Sequence, residues 1–154
     1  MIAYKRLIGI TVAVFFVLIF EWLFSLITVT GSDWYIALDK PSFMLSDGYM
    51  TLLRVMVYGF IIALVARLVV KRRFNPDCVF LSCAALLNVL CAFIFFRIHN
   101  LPLSLAVMIT STLLHYAALF RFTLKRPSDG IIFLPAVIFI SYLLCVLTSV
   151  TAMN

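Results

Sequence analysis

Apolar residues in this chain fall in long, nearly unbroken runs. Runs of about 20 residues occupy about 7–29, 50–70, 78–96, 103–122 and 130–152. A stretch of that length makes roughly 30 Å of helix, the thickness of a bilayer's hydrocarbon core. Lipid offers unpaired backbone groups no water, so each run is expected to be helical. The short alternating segments of a membrane β-barrel are absent from the sequence. The pattern predicts an all-α integral membrane protein, a single membrane domain over 1–154 built as a five-transmembrane-helix bundle. Three polar breaks are short and each holds a proline: KRRFNPD (Lys71–Asp77), RIHNLP (Arg97–Pro102) and KRPSDG (Lys125–Gly130). Proline favours a turn and biases the residue before it away from helix, so neighbouring helices should run antiparallel. The first break is longer and contains GSDWYIALDKPSF (Gly31–Phe43). Two readings of its aromatics stand. Trp34 and Tyr35 suit a membrane interface, where an amphipathic ring keeps one wet edge; alternatively, this long first loop is a lid over a cavity among the helices.

Composition sharpens the picture. The 154 residues are 66% hydrophobic and 12% charged, with a mean hydropathy of +1.20, whereas soluble domains are about half apolar and about a quarter charged. A water-soluble fold of this size leaves too much surface exposed to hide so much apolar area. Lys5 and Arg6 ahead of the first run resemble the head of a signal peptide. The run continues through Trp22 to Val29 with no clean small-x-small site, so a retained span is expected.

The net charge of +6 raises nucleic acid as a partner, and its distribution argues against one. With five spans, Lys5, Arg6, Lys71, Arg72, Arg73, Arg121, Lys125 and Arg126 share one side, and Lys40 and Arg97 the other. The positive-inside rule then places the N-terminus in the cytoplasm and the C-terminus outside, as in a bacterial inner membrane. The basic side reads as a topology signal that meets anionic headgroups. No internal repeat suggests an inverted-repeat transporter. Cys78, Cys83, Cys91 and Cys145 fall inside predicted helices with no CxxC or Cys/His cluster, so neither a metal site nor a disulfide framework is expected.

Several polar residues inside or beside the spans are candidates for chemistry. Glu21 and Arg54 lie at similar depths in the first two spans. A charge in a span usually faces the bundle and finds a partner, so an intramembrane ion pair is expected; otherwise Arg54 snorkels to headgroups and Glu21 is protonated. Asn88, near mid-span, either bonds across to another helix or contacts a ligand. Lys40 either meets an acidic ligand group or pins the loop through Asp39 or Asp47. His99 reads as an ordinary loop histidine and His115 as a neutral one bonded to a neighbouring helix. No nucleophile–base pair, paired carboxylates or phosphate loop can be read, so no catalytic residue is assigned.

WYIALDKPSF resembles the W-Y-x-x-L-x-K-P-x-W signature of the TspO/translocator protein family, the tryptophan-rich sensory proteins. LNVLCAFIFF (Leu87–Phe96) resembles that family's third-helix pattern L-N-x-x-W-x-x-x-F-F, retaining Leu87, Asn88, Phe95 and Phe96. Val57-Tyr58, Leu105 and Leu134-Pro135 fall where the second, fourth and fifth helices have Leu-Tyr, Ala-Leu and Pro-Tyr pairs, so the likeness spans nearly the whole chain. The chain also departs from the pattern. Phe43, Leu45, Ser46 and Gly48 replace the Trp, Pro, Pro and Trp after Lys40-Pro41. Arg54, Cys91 and Phe139 stand at Trp positions, Ala84 at a Gln and Ala136 at a Tyr, leaving Trp22 and Trp34 as the two tryptophans of a divergent, tryptophan-poor member.

The resemblance implies a pocket under the first loop for a porphyrin, a haem-like tetrapyrrole or a sterol-like lipid. Its lid would be Trp34, Tyr35, Lys40, Pro41 and Phe43, and its walls Tyr58, Asn88, Phe95, Phe96, Pro135 and Phe139. The implied function is binding, sensing or transfer, with no cofactor required and a porphyrin or haem as bound ligand. A structural or regulatory subunit of a larger membrane complex is the alternative. Light-dependent porphyrin degradation, linked to family tryptophans, is the third reading. A homodimer is implied, and the small residues Ala84, Ala85 and Ala92 on span three would permit close helix approach. Arg54, Tyr58 and Leu64 fit a loose inverted cholesterol-contact pattern, whereas the C-terminal CVLTSVTAMN lacks the tyrosine of the forward one.

Overall fold

The structure is a computed structural model. It describes the backbone of residues 2–70 and 76–154, and the side chains of these except at 2–6, 9, 10, 12, 13, 16, 17, 20, 21, 66, 69, 70, 76–79 and 82. All secondary structure among the described residues is helical: α1 (Ile2–Ile27), α2 (Asp33–Ala37), α3 (Asp47–Val70), α4 (Pro76–Phe93) with a π-helical continuation over Ile94–Ile98, α5 (Leu101–Lys125) and α6 (Pro127–Met153). Within the described residues, Asp47–Val65, Leu101–Lys125 and Pro127–Met153 are long and apolar enough to cross a membrane, and Cys83–Ile98 is a shorter apolar helix.

The long helices pack as a ring in the order α1, α3, α6, α5, α4, which returns to α1. Their outward faces carry large apolar side chains, such as Phe15, Leu18 and Trp22 on α1 and Leu113 and Phe120 on α5. In water such a surface would be a liability; in lipid it is the expected exterior. Inside, one apolar cluster joins α3, α5 and α6 through Val57, Leu64, Ala118, Phe122, Phe133 and Val137. A second joins Cys91 of α4 and Met108 of α5 to Ile140 and Leu147 of α6.

The seam between α4 and α5 is built from small residues. Ala84, Ala92, Ser104 and Ser111 are all buried there. Short side chains let backbones approach, and their hydroxyls bond across. Ser111 Oγ lies 2.6 Å from Asn88 Oδ1 and 3.1 Å from the Ala84 carbonyl. Its single proton serves one acceptor at a time; with the amide turned so that its NH2 faces Ser111, a chain from Asn88 through Ser111 to Ala84 is satisfied. The small stripe of α4 is thus used within the chain.

Helix boundaries depart from the sequence expectation at the prolines. The break expected over 125–130 contains one non-helical residue, Arg126, in extended conformation at φ −159° and ψ 105°. Pro127 opens α6, Pro76 opens α4, and Pro102 lies in the first turn of α5. A first-turn N–H has no partner to lose, so proline lies in the first turn of these helices where it was expected in the turn before them. The KRRFN part of the second break, residues 71–75, lies outside the described residues.

Candidate functional site: the lid and the α3/α6 groove

The first loop folds back onto the ring. Ser32 caps α2, its hydroxyl accepting from Tyr35 N at 3.3 Å, which orders a short helix the apolar pattern does not reveal. That turn buries Tyr35, whose hydroxyl donates to Asp47 Oδ1 at 3.3 Å. Burial, then the neighbouring Asp47 charge and the hydrogen bond to it, push the Tyr35 phenol up to about 12. Lys40 Nζ sits 3.8 Å from the centre of the Tyr35 ring, a cation–π contact, in place of an ion pair with Asp39 or Asp47. Pro41 is buried beside it in sequence.

The platform under the lid is the π-helical end of α4. Phe95 and Phe96 meet edge to face at 4.8 Å, Trp34 meets Phe95 at 5.2 Å, and Tyr35 meets Phe96 at 5.4 Å. Trp34 stacks on His99 with centroids 4.2 Å apart and planes 15° apart. His99 is left-handed, at φ 59°, a conformation to which histidine is less averse than most residues. Its backbone N–H closes the π turn on the Ile94 carbonyl, and its Nε2 lies 3.1 Å from the Phe96 carbonyl. Asn100 then caps α5 through Leu103 N at 3.0 Å.

Tyr142 of α6 and Asn154, the C-cap of that helix, hold the far side of the loop. Tyr142 Oη accepts from Leu45 N at 2.9 Å and donates to the Phe43 carbonyl at 3.3 Å. Asn154 exchanges two hydrogen bonds with the main chain of Asp39, each 3.0 Å. From this rim a groove of about 480 Å³ runs between α3 and α6. Leu53, Met56, Val57 and Phe60 form one wall, Ile131, Leu134, Pro135, Ile138, Phe139 and Tyr142 the other, and Leu45 of the loop closes its end. It opens outward, where Phe60, Ile131 and Ile138 are exposed.

The expected site residues therefore fall into separate groups. Trp34, Tyr35, Lys40, Phe95 and Phe96 come together in the lid cluster, with Pro41 adjoining Lys40. Pro135 and Phe139 line the groove, and Tyr58, the residue after Val57, is not among its lining. Asn88 lies between α4 and α5. Phe43 reaches Tyr142 by its carbonyl and leaves its ring exposed. Arg54 lies 4.7 Å from the Phe24 ring centre, facing α1; the side chain of Glu21, its expected partner, lies outside the described residues. Sequence reasoning passed over Leu53, Met56, Phe60, Ile131, Ile138, Tyr142 and Asn154. The spacing of 53, 56, 57 and 60, repeated at 131, 134, 135, 138, 139 and 142, is the helix-face period that marks the groove.

A family model described as TspO/MBR family matches residues 11–153, which takes in the first loop, most of α1 and all the other long helices. The chain belongs to the TspO/MBR family. No curated protein matches it significantly. Membership joins the apolar helices in assigning an integral membrane location. In this TspO/MBR chain, no group of three or more His, Cys, Asp or Glu among the described residues is placed to hold a metal ion.

Proposed function

We propose that this TspO/MBR protein binds a flat apolar ligand, a tetrapyrrole or a sterol-like lipid, within the bilayer, and senses or transfers it without chemical change. The groove between α3 and α6 carries the reading. Its volume lies within the roughly 300–1,000 Å³ of drug-sized ligand sites, and like them it is apolar with a polar group at one end. The lid is tied to that end through Tyr142, so a guest reaching the rim would disturb the loop that Trp34 reports on.

The same proposal has α1, α3, α4 with its π-helical end, α5 and α6 each crossing a bacterial inner membrane. The lid lies outside and Arg121, Lys125 and Arg126 inside, as the positive-inside rule requires. Self-association would use faces other than Ala84 and Ala92, which are buried within the chain.

The test is a titration of the purified protein with protoporphyrin IX, following the porphyrin's visible band and Trp34 emission in a Trp22→Phe background. Saturable binding that Leu134→Phe weakens about tenfold, or about 1.4 kcal/mol, supports the reading. Binding indifferent to filling the groove sinks the site. No ligand uptake, with a stoichiometric protein partner co-purifying, replaces the reading with that of a subunit of a larger complex.

A further inference from the structure

The π-helical end of α4 holds two things at once. It is wound over five residues, Ile94–Ile98, in a wide form that is rare and mostly a single turn. The Ile94 carbonyl closes it, accepting from the N–H of His99 and, at 3.4 Å, from that of Asn100. His99 then turns left-handed at φ 59°, a conformation that costs a residue with a side chain and lasts only where its surroundings hold it. The lid supplies that hold: Trp34 stacks on His99 and meets Phe95, and Tyr35 meets Phe96. Between these residues, Arg97 serves α1. Its Nη2 donates to the Leu26 carbonyl at 2.6 Å. Leu26 lies in the last turn of α1, where carbonyls lack a partner within the helix, so Arg97 is a C-terminal cap supplied by another helix.

The winding of this segment sets both aims. A π-turn carries one more residue than an α-turn, and rewinding it as α-helix turns what lies beyond by about 100°, the step of one residue at 3.6 per turn. Arg97 and His99 then lose their present partners together. We infer that Ile94–His99 is a two-state element that couples the lid to α1. With the lid docked, the segment is held as a π-turn and Arg97 caps α1. With the lid released, it rewinds, the cap is lost, and the lid end of α1 loosens from α4. Coupling of this kind requires an element with two arrangements that both sites bias, and linkage makes it reciprocal, so losing the cap also loosens the lid. No residue lining the α3/α6 groove takes part, and the inference stands apart from the binding reading.

The chain also joins α1 to α2 directly through residues 28–32, so the experiment separates the two routes. It uses the full chain in phosphatidylcholine nanodiscs. Hydrogen exchange is followed at the Thr28 amide, which donates to the Phe24 carbonyl at 2.9 Å and reports on the last turn of α1. Trp34→Leu, which keeps apolar bulk and removes the stack, should speed that exchange severalfold, and so should Arg97→Met. The two changes together should be no faster than Arg97→Met alone, because the cap can be lost only once. In the reverse direction, Arg97→Met in a Trp22→Phe background should raise iodide quenching of Trp34 severalfold. Amides of 137–147 in the middle of α6 should keep their rates. If they do not in Trp34→Leu, that variant is opening globally and the quenching measurement decides alone. Full addition of the two effects at Thr28 would route the disturbance along 28–32 and overturn the inference, as would Trp34 quenching unchanged by Arg97→Met.

Discussion

Asn154 grips the main chain of Asp39 from both directions: its Oδ1 accepts from Asp39 N and its Nδ2 donates to Asp39 O, each at 3.0 Å. Residues 115 positions apart are thereby joined, and the end of α6 becomes a fastening for the first loop. Exposed hydrogen bonds contribute about 0.5–1.5 kcal/mol each at most, so the effect of losing them should be local. Asn154→Ala should speed hydrogen exchange at the Asp39 amide severalfold. Trp34 emission should change less than in His99→Ala, because Trp34 is held directly by its stack on His99. A change in Trp34 emission equal to that of His99→Ala would show that the clamp supports the whole lid.

Tyr35 gives the lid a pH limit. An unfolded tyrosine titrates near 10, whereas burial, then the Asp47 charge and the hydrogen bond to it, push Tyr35 up to about 12. The docked loop holds the proton more tightly than the released one. Docking is therefore at full strength below pH 10 and weakens as the pH rises toward 12. In a phenolate absorbance titration, the difference between wild type and Tyr35→Phe should show a midpoint near 12. Asp47→Asn should move that midpoint down, since it removes the repelling charge. An ordinary midpoint in wild type would mean that the ring is not held against Phe96.

The broad architecture was legible because apolar length is a one-dimensional signal, and the long helices fall close to the expected runs. Their ends were less so. A proline reads as a break, yet Pro127 begins α6 one residue after α5 stops. The first loop was legible as a motif, but its platform depends on the π-helical turn that brings His99 beneath Trp34, which no local pattern announces. The groove was half legible. Val57 and Tyr58 are adjacent in sequence and point about 100° apart on a helix, so only knowing which helix faces α3 tells which of them lines it.

Gly130 of α6 lies close against Thr123 of α5. A Cβ there would fall on Thr123 Oγ1 and lie 3.1 Å from Thr123 Cα. The hydroxyl end can turn away, but the backbone atom cannot, so Gly130→Ala should cost about 1–3 kcal/mol through overpacking. Thr123→Ala in the same chain should recover part of that and not all. Thermal unfolding in detergent measures both, and a neutral Gly130→Ala would mean that the helices separate there at no cost.

Arg67 and Asp129 tie α3 to α6 at the end opposite the lid. Arg67 Nη2 lies 3.2 Å from Asp129 Oδ1. That oxygen is buried without a hydrogen-bond partner, because the guanidinium N–H is directed at Ser128 Oγ, 3.1 Å away. The attraction is thus one of charge, between a carboxylate 7% exposed and an arginine 36% exposed. Removing the arginine strands a buried anion, so Arg67→Ala should destabilise by about 3 kcal/mol. Asp129→Leu leaves a cation that can still reach water and should cost less. Replacing both, with Arg67→Met and Asp129→Leu, should restore most of the loss, since an apolar pair spares the desolvation of the buried carboxylate. A double-mutant cycle on unfolding in mixed detergent separates this from simple packing: strong coupling between the sites is expected, whereas additive losses would reduce the pair to two independent surface contacts.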